Sequence, residues 1–328
     1  MFRLEPARFP SSWWKTPLQI VDLSTGFGGI RGIASDTSAR KLFVVSSGLP
    51  HGNLVRYARS GQSFTPFLPA IGATSVDFAR ESDWITYVRP GYDTLWISRS
   101  NGNEARQISS AGMTVELPRW SPDNKQIAFM GKVPNGPWRI YLVPAMGGTL
   151  KEASKGGDNQ GAPTWSPDGK YLAYGNVECQ QERTCAIHTI SLTTGMVETL
   201  PHSQGLATAR WSPDGKYVAA LDPERHELFV YSVASQEWRK VAESTNGNDL
   251  SWSADSQAIY TNRSTGNGTE ILRVPMAGGM VQTVLNLASL SKSTDQLDTW
   301  FCVAPDGTII VHRLLNNSEI FALSYRVR

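Results

Sequence analysis

Charge of one sign, cysteine, histidine and long apolar runs are all scarce in this chain. Its 31 basic residues face 29 acidic ones for a net charge of +2, and no five like charges stand together. That excludes the electrostatic footprint of a nucleic-acid binder or a membrane-surface protein, so neither partner is expected. No stretch reaches the roughly 18 to 20 apolar residues of a spanning helix, and Met1-Phe2-Arg3-Leu4-Glu5-Pro6 lacks the apolar core of a secretion signal. As written, the chain is expected to be soluble and cytoplasmic, or periplasmic if it is part of a longer membrane-anchored protein. Three cysteines are too few for a disulfide framework. Cys179 and Cys185 stand six apart between strand-like segments, which fits a bridge in an oxidising compartment and equally fits two reduced loop thiols.

The familiar constellations of catalysis are missing too. The five histidines, His51, His188, His202, His226 and His312, are scattered without metal-ligand spacing, and no Gly-x-Ser-x-Gly occurs. Ser38-Ala39-Arg40-Lys41 fits Ser-x-x-Lys but has no companion motif, and Gly26-Phe27-Gly28-Gly29 reads as a turn, not a phosphate cradle. Asp77, Glu116 and Asp249 precede predicted inner strands and would form a calcium site only if all three pointed inward. No catalytic, cofactor or metal residue is assigned, no cofactor is expected, and the chain is not read as an enzyme.

What is abundant is glycine (29), proline (19) and tryptophan (11), with only 18% charged residues. Many short strands joined by tight turns follow, and the class is all-β. Three segments nearly coincide: Trp120-Ser121-Pro122-Asp123, Trp165-Ser166-Pro167-Asp168-Gly169-Lys170 and Trp211-Ser212-Pro213-Asp214-Gly215-Lys216. A fourth is Trp252-Ser253-Ala254-Asp255, and weaker copies begin at Ile33, Phe78 and Val303. The Trp-equivalent positions 33, 78, 120, 165, 211, 252 and 303 lie 45, 42, 45, 46, 41 and 51 residues apart. A period of this size with several short strands per repeat marks β-propeller blades.

Each residue type has a physical reason. Pro-Asp-Gly supplies a fixed φ, a side-chain acceptor and a residue free at positive φ, and so makes a tight reversal. A Trp ring fills the wedge between neighbouring sheets, which makes Trp120, Trp165, Trp211, Trp252 and the turn residues Asp123, Asp168, Asp214 and Asp255 structural. A third strand such as Arg139-Ile140-Tyr141-Leu142-Val143, a Gly-rich turn and a short outer strand complete four antiparallel strands per blade. Seven copies predict a seven-bladed propeller, with a six-bladed one as the alternative. The last repeat lacks an outer strand, and 17–23 lies where it can complete that blade and hide an open edge. Residues 1–328 then form one domain, with 1–16 as an N-terminal extension and 17–23 as the closing strand. A monomer is expected.

These repeats resemble the WD40-like propellers of the TolB protein and the N-terminal propeller of tricorn protease. The region from Phe2 to Val143 is also similar to propellers that follow winged-helix or Ser/Thr-kinase domains in soil-bacterial signalling proteins. That likeness implies a sensor or interaction module, although the chain lacks the kinase or DNA-binding segment, TolB's α/β domain and the Trp-Asp dipeptides of true WD40 repeats.

Chain direction separates two faces. One carries the short Pro-Asp-Gly and Gly-Gly turns; the other carries the long varied loops, where recognition normally resides. The expected function is a non-catalytic protein- or ligand-binding propeller of a bacterial signalling or envelope system. Its protein or peptide partner is expected on the long-loop face, with Tyr92, Trp138, Arg183 and His226 as contacts because aromatic and Arg residues dominate interface energetics. The alternative is a propeller enzyme, a metal-dependent hydrolase or lyase working at the channel mouth.

Overall fold

The computed structural model describes residues 29–324 apart from 36–40, 48–50, 59–62, 69–70, 72, 90–92, 110–111, 155–158, 178–184, 244, 288–294 and 316–317. Every described element is a strand or a turn, apart from one helical residue at 287. The chain divides into two compact units, one of residues 50–316 and one of residues 1–49 with 317–328.

The larger unit holds six four-stranded antiparallel sheets. Blade one runs from the inner strand Thr74–Phe78 through Trp84–Arg89 and Thr94–Arg99 to Arg106–Gln107. Blades two to five repeat this order from inner strands Thr114–Trp120, Gln160–Trp165, Ala207–Trp211 and Leu250–Trp252. Blade six is composite: Asp295–Val303 and Ile309–Leu315 are continued outward by His51–Ala58 and Ser63–Phe67. Each inner strand touches the next, and the last touches that of blade one, so the ring is closed.

Six apolar clusters fill the six gaps between blades. Trp120 packs with Val88 and Leu95 of blade one, Trp165 with Ile140 and Leu142 of blade two, and Trp252 with Leu221 and Leu228 of blade four. Trp211 is half-buried against Ala173 and Ile187 of blade three. Val55 and Val311 meet Ile271 and Leu285 in the gap before blade six, and Trp300 and Leu54 meet Val76 and Tyr87 in the gap after it. Fully burying one such side chain is worth about 1.5–3 kcal/mol, so the gaps are the main source of cohesion.

Six blades, the alternative reading, replace the seven expected from the repeat count. The copy at 33 lies in Gly29–Ser35, which pairs with Lys41–Ser47 and, beyond that, Ser318–Ser324 in a separate three-stranded sheet of the smaller unit. Strand 51–58, next along the chain, instead pairs with Ile309–Leu315 through Ile310↔Arg56, Val311↔Val55 and their neighbours, and strand 63–67 pairs on its outer edge. The open edge of the last repeat is thus covered by an N-terminal segment, but two strands do it. The proposed closing strand 17–23 and the extension 1–16 lie outside the described residues.

The turns after the inner strands show why serine recurs. In blade three the Ser166 hydroxyl accepts the Tyr171 N–H at 2.9 Å and donates to Asp168 Oδ1 at 2.6 Å, which also accepts the Lys170 N–H at 3.0 Å. The same relay recurs from Ser121 to Asp123, Ser212 to Asp214 and Ser253 to Asp255. The next residue takes positive φ, 70° at Gly169 and 77° at Gly215, where a Cβ would be strained. Hydrogen bonds from the serine hydroxyls, then from backbone N–H groups, hold Asp168 and Asp255 below the usual carboxylate range.

A chain beginning at residue 69 loses both outer strands of blade six and exposes the edge of Ile309–Leu315; thermal unfolding is expected to lose its cooperativity, with aggregation on heating. Ser166→Ala leaves the Tyr171 N–H without its acceptor and is expected to cost about 1 kcal/mol in urea unfolding. Because the folded values of Asp168 and Asp255 lie below the unfolded ones, their contribution is complete above about pH 4 and is lost as pH falls further. The Asp168→Asn/Asp255→Asn double variant is expected to show a shallower acid limb of the stability curve.

Candidate functional site

The inner strands of blades one to four bend at a shared point. Three residues before each wedge aromatic, Ser75, Leu117, Ala162 and Thr208 take φ values of 51°, 47°, 51° and 56°. There two residues oppose one on the neighbouring strand, a β-bulge that re-aims the side chains beyond it. Pro118 and Pro163 occupy the unpaired second place, where a missing N–H costs nothing.

Beyond the bulge, the residue just before the wedge position comes from each blade in turn: Asp77, Arg119, Thr164, Arg210, Ser251 and Cys302. They alternate in role. Asp77 Oδ2 accepts the Trp120 N–H at 2.7 Å, Thr164 Oγ1 the Trp211 N–H at 3.1 Å, and Ser251 Oγ the Val303 N–H at 3.4 Å. Blades one, three and five therefore each hold the next inner strand by a side-chain acceptor. Arg210, on blade four, is 6% exposed. Its Nε donates to Leu250 O of blade five at 3.2 Å, and its Nη1 to Ala162 O of blade three at 3.3 Å and Ala209 O at 2.8 Å. Arg119 Nη1 donates to Pro118 O at 3.0 Å and lies 3.8 Å from Asp77 Oδ1. The indoles of Trp165 and Trp252 donate to Arg119 O and Arg210 O, each at 3.0 Å, and so tie the wedges to the ring.

The electrostatics follow from crowding charges at the axis. Burial, then the like charge of Arg119, pushes Arg210 down to about 9, against the pull of Asp249 and Asp77. The guanidinium still carries its proton at neutral pH. Burial raises Asp77 despite Arg119 and the Trp120 N–H. Its side chain nevertheless keeps 28% of its surface exposed, so water reaches the ring. Ionising Asp77 therefore costs stability as pH climbs past the ordinary carboxylate range. Burial also drives the Cys302 thiol strongly upward, away from the thiolate a nucleophile needs.

Of the four sequence-predicted contacts, the two described ones, Trp138 and His226, stand on different blades. Tyr92 and Arg183 lie outside the described residues. Trp138 is half-buried in the loop between the second and third strands of blade two, with the Lys132 ammonium 5.5 Å from its ring and its N–H donating to Asn159 Oδ1 at 2.9 Å. His226, two blades on, is exposed at φ 57° and borders a cavity of about 450 Å³ with Arg225, Glu227, Glu243, Asn246 and Arg263. Asp77, Glu116 and Asp249 do not assemble a metal site: Asp77 is engaged by Trp120 and faced by Arg119. Among the described residues no three His, Cys, Asp or Glu side chains converge as ligands. Cys185 is buried and disulfide-bonded, while Cys179 lies outside the described residues.

Two features escaped sequence reading. The axial ring was missed because its members share a position but not a residue type. The other is apolar: of the described large hydrophobic side chains left exposed, all but Val133 sit on the short-turn face, including Met146, Met196 and Met280 in turns before outer strands. The Met146-Gly147-Gly148 turn was the visible signal.

A putative TolB from Agrobacterium tumefaciens superposes with a TM-score of 0.64 at 16% identity, over 80% of this chain and 98% of that one. The fold is a TolB-like β-propeller. TolB from Acinetobacter baumannii aligns over 88% of this chain and 79% of its own, with a TM-score of 0.56 at 18% identity. A puromycin hydrolase S511A mutant complexed with PGG aligns at 0.51 and 15% identity, over 83% of this chain and 57% of that longer one. At such identities the TolB-like likeness establishes the fold alone. No family model matches the chain, and no curated protein matches it.

In this TolB-like ring, Arg210→Met strips three carbonyls on blades three, four and five of their donor. It is expected to cost about 3 kcal/mol in denaturant unfolding, whereas Arg119→Met, which removes one such bond, is expected to cost about 1 kcal/mol.

Proposed function

We propose that the chain is a non-catalytic propeller that binds a protein or peptide over its long-loop face, as a sensor or interaction module of a bacterial signalling or envelope system. The observation that carries this reading is the groove beside His226. There the second-to-third-strand loop of blade four meets Asn246, Arg263 and Ser264 of blade five. Charges of both signs are held in place around it: Lys240 pairs with Glu227 at 3.0 Å and with Glu243 at 2.5 Å, and Arg263 pairs with Glu270. Fixed, mixed charges in a concave site favour a polar segment of matching pattern and reject others, which is recognition chemistry. His188, by contrast, is committed to structure: both its ring nitrogens are bonded, to Asn176 Oδ1 and Thr199 Oγ1 at 2.9 Å each.

Capture of a partner from native-host lysate on the immobilised chain, read by quantitative mass spectrometry, tests the reading. The double variant His226→Ala/Arg263→Glu is expected to retain less than a fifth of the captured protein while unfolding normally. Undiminished capture by that variant, coupled with loss on substituting Met146, Met196 and Met280 by Gln, would overturn the placement and move recognition to the opposite face.

A further inference from the structure

We propose that the axial ring is a carboxylate-binding site, in which the guanidinium groups of Arg119 and Arg210 share one carboxylate carried by a small organic acid or by the C-terminus of a peptide. This inference is independent of the groove beside His226.

The argument begins with unused donors. A guanidinium has five N–H groups in a planar fork. Arg210 spends its Nε and both Nη1 hydrogens on Leu250 O, Ala162 O and Ala209 O; among the described residues its Nη2 has no acceptor. Yet the residue is 94% enclosed, the complement of its 6% exposure. Arg119 spends one N–H on Pro118 O, and Asp77 Oδ1 at 3.8 Å is beyond hydrogen-bond reach, so its Nε and Nη2 are also without acceptors among the described residues. Both charges were brought to the axis at a desolvation cost that the surrounding carbonyls only partly offset. The two cations feel each other as like charges, so an anion between them relieves repulsion as well as satisfying donors.

The site selects by direction rather than by net charge. Asp77 and Asp249 contribute negative field at the same place, so the ring is not a general anion funnel. Asp77 spends its Oδ2 on the Trp120 N–H, and its Oδ1 stands 3.8 Å from Arg119 Nη1, near enough for attraction but too far to take one of its hydrogen bonds. What remains are spare N–H donors on two guanidinium groups, each a planar fork that suits the two oxygens of a carboxylate better than a spherical halide. Thr164 and Ser251 are occupied by backbone N–H groups, and the Cys302 thiol is neutral, so no further charge opposes the ligand from those blades.

The ring carries its own reporters, because the Trp165 and Trp252 indole N–H groups bond to Arg119 O and Arg210 O. ¹⁵N-labelled full-length protein titrated with sodium propionate, and separately with Gly-Ala-Ala bearing a free or an amidated C-terminus, is expected to show saturable shifts of both indole resonances. Sodium chloride at matched ionic strength is expected to give none. If propionate and the free peptide both shift the indoles, the site takes a carboxylate from either source; if only one does, that source is assigned. Arg119→Met is expected to weaken the apparent affinity at least tenfold, and Arg119→Lys, which keeps the charge but loses the fork, at least threefold. Equal shifts with chloride, no saturable shift with any carboxylate, or unchanged affinity in Arg119→Met would each overturn the proposal. Because Arg210→Met is expected to weaken the fold, the test rests on the Arg119 variants.

Discussion

Everything in the larger unit depends on filling the wedge between adjacent sheets. Twisted four-stranded sheets stood around an axis leave gaps that widen outward, and an unfilled gap forfeits dispersion contacts and admits water. Six apolar clusters occupy six gaps here. Most are led by a Trp from the inner strand of one blade against aliphatic side chains of the blade before it. In the weakest repeat Val303 is too small for that task, and Trp300 fills the adjoining gap with Leu54 and Phe67 from the N-terminal strands. Closure of the ring and filling of its last gap are thus one event.

The wedge dictates the axis. A ring on one side of the inner strand requires its neighbour in sequence to face the channel, so the residue before each wedge position lines the centre whatever its type. The bulges at Ser75, Leu117, Ala162 and Thr208 aim that residue, and in the last three of them the carbonyls of Pro118, Ala162 and Ala209 become acceptors for Arg119 and Arg210. Hydroxyl and carboxylate side chains on alternate blades pin the next strand by its N–H, and arginines between them span the carbonyls. A structural ring of this kind keeps polar donors at depth, which is the raw material of a binding site.

The turn relays act at the opposite end of the same strands. Ser166 and Asp168 close the reversal internally, while the residue after the aspartate reaches the neighbouring blade: Asn124 exchanges two hydrogen bonds with the Arg80 backbone, and Ser256 Oγ accepts the Asp214 N–H at 3.1 Å. Repetition of one short motif therefore sets both the strand pairing within a blade and the spacing between blades.

Strand content, the inner strands of blades one to five, the wedge tryptophans and the turn aspartates were legible in the residues themselves, because each is a local consequence of side-chain shape and turn stereochemistry repeated at a regular interval. The number of blades was not. Strand 51–58 can hydrogen-bond to either of two backbone edges, and which one it takes depends on closing a circle whose last gap lies hundreds of residues away in sequence. The axial ring was hidden for the same reason: Asp77, Arg119 and Arg210 share no spacing or motif with one another, and only the convergence of six strands on one axis makes them neighbours.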